Sequence, residues 1–176
     1  MPKSLNKALV YFAERPSQTL GLIWAATTRQ GLWALSYGMD ADEFRAQILE
    51  RGPAKLVYDE EKLSPILQEV QEFLDGKRRD FDLPIDWLGM TDFQIAVRRV
   101  VMALPYGQTA SYGEIAAKVG NPRAARAVGS VQASNPISFV IPCHRVLGAD
   151  GSLHGYGGFG GLKTKAWLLK LEAQHK

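Results

Sequence analysis

Cysteine is almost absent from this 176-residue chain, because Cys143 is its single example and only three histidines accompany it. One thiol cannot form an internal disulfide, and the histidines do not lie with it at the spacing of zinc ligands. We therefore expect neither a disulfide-stabilised framework nor a metal site. No sequence feature calls for a cofactor.

Long apolar runs are also missing. None approaches the ~20 residues that a membrane-spanning helix needs, and the N-terminus lacks the pattern of a signal peptide. Internal repeats and low-complexity tracts are absent. Hydrophobic residues make up 46% of the chain, which suffices for one domain or two small ones with a real core. We expect a monomeric protein without membrane contact, located in the cytoplasm, with the nucleoid of a prokaryote or in the nucleus of a eukaryote.

Acidic residues are scarce in the second half of the chain. Residues 1–89 carry 11 Lys and Arg against 14 Asp and Glu, net −3, whereas residues 90–176 carry 10 against 4, net +6. A basic segment of this kind favours a polyanionic partner, although an ordinary solvated face would show the same charge. We predict two domains with these limits, 1–89 and 90–176.

Residues 1–89 alternate strand and helix signals, with apolar runs, helix caps and glycine or proline stops. No group of side chains in this half indicates a site, so we expect a structural role. The predicted elements are a hairpin of strands Leu20–Ala26 and Leu32–Tyr37, a helix from Asp40 to Arg51, a strand near Leu56–Tyr58, a helix from Ser64-Pro65 to Gly76, and an edge strand or linker over Phe81–Trp87.

The second half begins with helical signals. A capping box at Thr91–Gln94 opens a helix whose apolar face leaves Arg98 and Arg99 on its other side. A second capping box, Ser111–Glu114, opens a short helix that Gly120 ends. We predict a third helix over Arg123–Ala133, which completes a helix-turn-helix with this helix as the recognition helix. A purely structural helical hairpin would give the same pattern.

The surface of the third helix favours nucleic-acid binding. Small residues give it a slim face that allows close approach to a duplex, and two arginines accompany them. The residues concerned are Arg123, Ala124, Ala125, Arg126, Ala127 and Gly129.

Cys143 follows the apolar run Ile137–Ile141, which predicts a strand covered on both faces and ended by Pro142. The thiolate is the reactive form of cysteine, and cationic or basic neighbours such as His144 and Arg145 lower a thiol pKa. Because adjacent side chains diverge, we expect His144 to reach the sulfur through a water. The alternative is an inert, buried cysteine.

Two further features follow Cys143. The stretch Gly155–Gly161 is rich in glycine but lacks the Lys-Ser/Thr of a P-loop. It is either a flexible loop or a segment whose backbone N–H groups approach a flat ligand, with Tyr156 as a wall. A final helix is predicted over Lys163–Leu171, and Glu172 comes directly after it.

The sequence Pro142-Cys143-His144-Arg145, preceded by Asn135-Pro136 and followed by Val146, resembles the active-site signature of the O6-alkylguanine-DNA alkyltransferases. The resemblance is strong over residues 91–172 and weak over the first 90. It implies a mixed α/β (α+β) fold, in which a small ribonuclease H-like α/β domain precedes a mostly helical domain with the helix-turn-helix.

The resemblance also implies a role for each matching residue. Catalysis would involve Cys143 as nucleophile, His144 and Glu172 in a relay through water, and Tyr112 as the group that displaces a phosphate and donates a proton. Arg126 would fill the gap that a flipped nucleotide leaves in the minor groove, beside DNA contacts from Arg123, Ala124, Ala125 and Gly129. The implied substrate pocket comprises Asn135, Val146, Tyr156, Gly157 and Gln132, with structural roles for Pro142 and Arg145.

The implied reaction is the repair of double-stranded DNA, in which the alkyl group of O6-alkylguanine, and of O4-alkylthymine, passes irreversibly to Cys143 after base flipping. Three departures from the family pattern affect the alkyl-group preference and the rate. Gly157 stands where many members have serine, the loop is about two residues longer before Leu162, and Gln132 occupies a position that is apolar in some relatives. A damage sensor without transfer activity would lack the cysteine. A cysteine hydrolase would need a distant histidine with an Asn or Asp partner.

Overall fold

Four strands form the larger of two sheets in the structure, a computed structural model that describes residues 7–175. The strand order is β3-β2-β1-β4, in which β1 is antiparallel to β2 and parallel to β4. Together with the helices that follow, this mixed sheet confirms the predicted α/β (α+β) class. The strands are β1 Ala8–Ser17, β2 Gly21–Thr27, β3 Leu32–Tyr37 and β4 Ala54–Tyr58.

The central strand β1 was not predicted. Its second half carries Glu14, Arg15 and Pro16, which interrupt the alternation of apolar and polar residues that marks a strand. Pairing on both sides nevertheless fixes it, since β2 and β4 provide long-range hydrogen bonds that no local pattern records.

Two helices accompany this sheet. Helix α1 covers Ala41–Glu50 behind a capping box of Asp40 and Glu43, as predicted. Helix α2 covers Glu60–Leu74, so its predicted start at Ser64-Pro65 is wrong. The carboxylate of Asp59 accepts the Lys62 N–H at 2.9 Å and begins the helix one turn earlier. Pro65 therefore lies inside the helix, where its missing N–H removes one helical hydrogen bond.

The segment Phe81–Trp87 forms a linker rather than a strand. It touches the sheet through one isolated bridge between Leu32 and Ile85. The remaining elements are α3 Asp92–Met102, β5 Ala110–Ser111, α4 Tyr112–Lys118, α5 Ala125–Ala133, β6 Val146–Leu147 and α6 Gly161–Gln174, of which β5 and β6 form a two-stranded parallel sheet.

The helix-turn-helix consists of α4 and α5, joined through Gly120 at φ 78°. Helix α5 begins at Ala125 instead of Arg123, because residues 121–124 form a turn in which Ala124 N–H donates to the Asn121 carbonyl at 2.9 Å. Helix α6 is longer than predicted, so that Glu172 lies inside it. Within residues 7–175, no helix is both long and apolar enough to cross a membrane.

The predicted strand at Ile137–Ile141 is wrong. The segment is buried as expected, but it folds into a turn that contacts the sheet through an isolated Leu35–Ile137 bridge. Its backbone groups bond locally, from Val140 N–H to the Ser138 carbonyl at 2.8 Å and from Ile141 N–H to the Ile137 carbonyl at 3.1 Å. Apolar residues alone do not distinguish a buried strand from a buried turn.

Arg98 also differs from its prediction. It is 2% exposed, and its Nη2 donates to the Ser134 carbonyl at 3.0 Å, next to the end of α5. An exposed position was expected from the helical pattern of α3. The guanidinium instead helps to join α3 to the recognition helix.

Two hydrophobic clusters stabilise the fold. The larger one runs without interruption from the sheet and α2 into α3, α4, α5 and α6. The smaller one lies between the other face of the sheet and α1, where Trp24 stacks on Phe44 at 5.3 Å between ring centroids.

We expect Phe44→Ala to lower the free energy of unfolding by about 3–5 kcal/mol, because the side chain is fully buried in the smaller cluster. Leu49→Ala on the same helix is the control, since Leu49 is 48% exposed and its loss should cost less than about 1 kcal/mol. Urea denaturation of both variants measures the difference, and equal effects would contradict the assignment of this core.

Candidate active site

Cys143 begins a short 3₁₀ helix, Cys143–Arg145, that follows the buried turn. Its side chain is 7% exposed. Asn135 fixes its position, because Nδ2 donates to the Cys143 sulfur at 3.2 Å and to the Ile141 carbonyl at 2.8 Å. The Asn135 Oδ1 accepts the Ile137 N–H at 3.1 Å. One amide therefore holds both ends of the turn and the thiol. Pro142 precedes the helix, and its carbonyl accepts the Arg145 N–H at 2.9 Å.

The carboxylate of Glu172 lies fully buried beside this helix. His144 Nε2 is 2.7 Å from its Oε1, and the Arg145 Nη2 donates to the same oxygen at 2.9 Å. The N–H of Gly107 donates to Oε2 at 2.8 Å. Arg145 also donates to the Leu104 carbonyl at 2.6 Å. Donors from two parts of the chain, the 3₁₀ helix and the loop after α3, thus converge on one negative charge.

These contacts determine the protonation states of Glu172 and His144. Burial would raise the pKa of Glu172, but the hydrogen bonds from His144 and Arg145, together with the charge of Arg145, outweigh it and lower the pKa to about 2. Burial lowers the pKa of His144 against the opposing effect of Glu172, which leaves the imidazole neutral at pH 7. If Nε2–H donates to Glu172, Nδ1 is an acceptor. It is buried and has no hydrogen-bond partner among the described residues.

The cation that lowers the pKa of Cys143 is not one of the predicted neighbours. His144 is neutral and Arg145 is neutralised by Glu172, so neither supplies free positive charge to Cys143. Burial raises the pKa of the Cys143 thiol, while the Asn135 hydrogen bond and the charge of Lys165 oppose this rise. At rest the thiol is protonated, and a base must take its proton before it can act as a nucleophile.

Lys165 was missed by the sequence analysis. It is fully buried, and its Nζ donates to the carbonyls of Val146 at 2.7 Å and His154 at 2.9 Å. No sequence signal distinguishes it from the other lysines near α6, because its burial depends on two carbonyls that are distant along the chain.

A groove of about 630 Å³ lies on the surface and shares Ala133 and Gly157 with the cavity that contains the thiol. It brings together many of the predicted residues from α4, α5 and the glycine-rich loop. Small residues of α5 form part of its wall. The lining residues are Tyr112, Ala125, Arg126, Gly129, Ala133, His154, Gly155, Tyr156 and Gly157. Arg123 and Ala124 lie outside the groove, in the turn before α5.

A second, smaller cavity of about 60 Å³ lies behind the thiol and includes Gln132, Asn135 and Cys143 in its wall. Gln132 is 6% exposed, and neither of its amide atoms has a hydrogen-bond partner among the described residues. Gly157 separates the cavity from the groove. A Cβ atom there would collide with the Ala133 carbonyl oxygen, which accounts for glycine at this position.

The positive charge of the second half is partly internal. Arg98, Arg145 and Lys165 are all less than 5% exposed, so they do not contribute to the surface. Arg123 and Arg126 are exposed at the recognition helix. The exposed positive charge that a polyanion could contact is therefore smaller, and lies closer to the recognition helix, than the count of basic residues in the sequence indicates.

Comparison with known proteins agrees with this geometry. Residues 92–174 match the family described as "6-O-methylguanine DNA methyltransferase, DNA binding domain". The inducible methylated-DNA–protein-cysteine methyltransferase of Bacillus subtilis is 38% identical over 95% of this chain and 92% of its own. The crystal structure of Mycobacterium tuberculosis O6-methylguanine methyltransferase superposes with a TM-score of 0.78 at 34% identity, over 95% of this chain and 94% of that one.

A structure of the Mycobacterium tuberculosis protein in complex with DNA matches with a TM-score of 0.76, again at 34% identity over 95% of this chain and 94% of that one. The likeness thus extends through the sheet as well as the helical half. With a thiol, an imidazole and a carboxylate assembled at the base of a helix-turn-helix, and with relatives aligned along nearly their whole length, this chain belongs to the methylated-DNA–protein-cysteine methyltransferase family.

Proposed function

We propose that this protein repairs double-stranded DNA by moving the alkyl group of O6-alkylguanine to Cys143 in a single, irreversible turnover. The observation that carries the proposal is the buried thiol next to a neutral imidazole whose Nδ1 has no partner within residues 7–175. The thiol lies in the wall of a cavity that shares Ala133 and Gly157 with the groove along the helix-turn-helix. DNA is the partner that the family shares, and a relative has been crystallised with it.

The groove on the protein surface supports binding of the recognition helix in the minor groove of DNA. The small residues Ala125 and Gly129 let α5 enter the minor groove of DNA, which is about 6 Å wide. Arg123 and Ala124 lie in the turn directly before α5. A stacked base hides the alkyl carbon from attack, so the nucleotide must leave the duplex. Arg126 would fill the vacated space, and Tyr112 would displace the neighbouring phosphate.

The reaction begins with removal of the Cys143 proton. A bridging water would carry it to His144 Nδ1, and the imidazolium that forms would be stabilised by Glu172. The thiolate attacks the alkyl carbon, the carbon–oxygen bond breaks, and the electron pair stays on the guanine, which takes a proton at N3 from Tyr112. A thioether has no acyl carbon that water could attack, so the thiol is not regenerated.

The pocket walls support recognition of a purine. Tyr156 would bound the ring, and the Val146 carbonyl, which has a second lone pair beside its bond from Lys165, would accept from the exocyclic amine. We extend the proposal to O4-alkylthymine. The chain would act as a monomer in the cytoplasm, with residues 1–89 as a supporting domain and residues 90–176 as the reacting one.

Incubation with a duplex that carries labelled O6-methylguanine tests the proposal. One methyl group should move to each chain and no more, and intact-mass spectrometry should show the corresponding increase. Repeated turnover, or release of labelled methanol, would contradict it.

Cys143→Ala should abolish transfer and leave DNA affinity nearly unchanged, because a small atom at the base of the pocket contributes little to phosphate contacts. Label transfer and fluorescence anisotropy measure the two properties. Transfer by this variant would overturn the assignment of the nucleophile.

Arg126→Ala should slow repair of duplex DNA by about tenfold or more, because unstacking a base costs on the order of a few kcal/mol and the arginine would no longer offset that cost. The reaction with free O6-benzylguanine should change little. The free base needs no flipping. Arg45→Ala, an exposed arginine on α1, is the charge-matched control. Equal losses on both substrates would show instead that Arg126 supports the fold.

Glu172→Gln should destabilise the protein by about 3–5 kcal/mol, because Arg145 would keep a buried charge without its counter-charge. The pKa of Glu172 is depressed in the folded state, so its stabilising effect is present above the unfolded pKa and is lost as the pH falls towards about 2. Between about pH 5 and pH 2, the free energy of unfolding should therefore change less with pH in the variant than in the wild type. Urea denaturation at a series of pH values measures it. An unchanged acid dependence would contradict the role of this charge.

A further inference from the structure

We infer that Tyr37, on β3 of the N-terminal sheet, is a positioning residue for the thiol: its hydroxyl orients the hydroxyl of Tyr156 towards the Cys143 sulfur. The half of the chain that shows no site in its sequence thereby contributes to the reactivity of the cysteine. The inference concerns the thiol itself and depends on the proposed function only for its consequence in repair.

The two tyrosines meet inside the protein. The hydroxyl oxygens of Tyr37 and Tyr156 are 3.1 Å apart, and Tyr37 is 1% exposed. The Tyr37 ring also stacks on Phe139, with ring centroids 5.1 Å apart and planes inclined by 23°. Among residues 7–175, Phe139 is the one non-glycine residue with a positive φ, at 66°. Backbone strain of this kind persists only where the surroundings fix the conformation.

The backbone of β3 holds the same turn from the other side. Leu35 N–H donates to the Pro136 carbonyl at 2.8 Å, and Ser138 N–H donates to the Leu35 carbonyl at 2.9 Å. Tyr37 lies two residues farther along the strand and therefore points to the same face of the sheet as Leu35. The strand thus fixes the position of the cysteine turn and of the tyrosine hydroxyl together.

The glycine-rich loop permits this contact. A Cβ atom at Gly158 would collide with the Tyr37 hydroxyl, so the loop can bring Tyr156 to this distance only with glycine at the next-but-one position. The absence of side chains in this part of the loop is explained by close packing against an N-terminal residue.

The role of Tyr37 follows from the number of protons that the two tyrosine hydroxyls carry. Burial raises the pKa of both tyrosines, so each hydroxyl keeps its single proton near neutral pH. Tyr37 and Cys143 line the same small cavity. The hydroxyl of Tyr156 acts as a donor towards the sulfur and lowers the pKa of Cys143. When Tyr37 donates to the Tyr156 oxygen, the proton of Tyr156 is free to point at the sulfur, and both O–H dipoles then favour the thiolate. In the reverse order, Tyr156 would donate to Tyr37 and leave the sulfur without this donor.

Other titratable groups also act on the sulfur and remain in place when the Tyr37 hydroxyl is removed. They come from α3, α4 and α6, and they are Arg98, Tyr112 and Lys165. Comparison of variants that differ by one hydroxyl therefore isolates the contribution of Tyr37.

The test uses the fact that Cys143 is the single cysteine. The pH dependence of its alkylation by iodoacetamide gives the thiol pKa without any need for DNA. Tyr37→Phe should raise that pKa by about 0.5 to 1, and should slow alkylation at a fixed pH below it by about three- to tenfold. Tyr58→Phe, at an exposed tyrosine of β4, is the control and should change neither.

A double-mutant cycle separates the relay from a direct or purely structural effect. In a Tyr156→Phe background, Tyr37→Phe should produce no further change in the thiol pKa. A full-sized change in that background would overturn the inference, as would a lower melting temperature of Tyr37→Phe with an unchanged thiol pKa. If the wild-type protein did not react with O6-benzylguanine, the proposed function would fail, while the alkylation profile would still decide the role of Tyr37.

Discussion

The buried carboxylate of Glu172 imposes the constraint on which the site depends. A charge removed from water must be compensated by close partners, and here they come from the 3₁₀ helix and from the loop after α3. The same contacts explain why Arg145 does not act on the sulfur and why His144 is held with Nε2 towards the carboxylate. The geometry of the imidazole is thus a consequence of charge compensation within the helical half.

A second constraint acts from the sheet. Strand β3 binds the turn before Cys143 through the backbone of Leu35 and packs Tyr37 on Phe139. The thiol therefore lies between two fixed bodies, with Glu172 on one side and an edge strand on the other. The packing against β3 explains how the positive φ of Phe139 is tolerated in this turn.

Local signals predicted the parts of the fold that local interactions decide. The capping boxes at Thr91 and Ser111 and the cap at Asp40 begin helices as expected, because each motif is complete within four residues. The apolar run Ile137–Ile141 does not identify its own conformation, since the side chain of Asn135 and the backbone of β3 convert it into a turn. For the same reason the central strand β1 was missed.

The site divides in the same way. Resemblance to a known family identified Cys143, His144 and Glu172, and the structure brings the last two into contact. Lys165 and Tyr37 were not predicted as site residues, and Arg98 was expected on the exposed side of α3, because nothing in a sequence records which carbonyl or hydroxyl a buried side chain will meet. The partners of these side chains are distant along the sequence. Lys165 bonds Val146, 19 residues away, and Tyr37 bonds Tyr156, 119 residues away. Arg98 bonds Ser134, 36 residues away.

The larger hydrophobic cluster, which runs from the sheet into the helices, has a consequence for how the molecule loses its structure. With side chains of both halves in one continuous core, neither half can open without exposing apolar surface of the other. Unfolding is then expected to be cooperative over the whole chain. A local disturbance beside the sulfur would be transmitted to the global folding equilibrium, and a chain that has reacted would differ from a fresh one in its susceptibility to proteases.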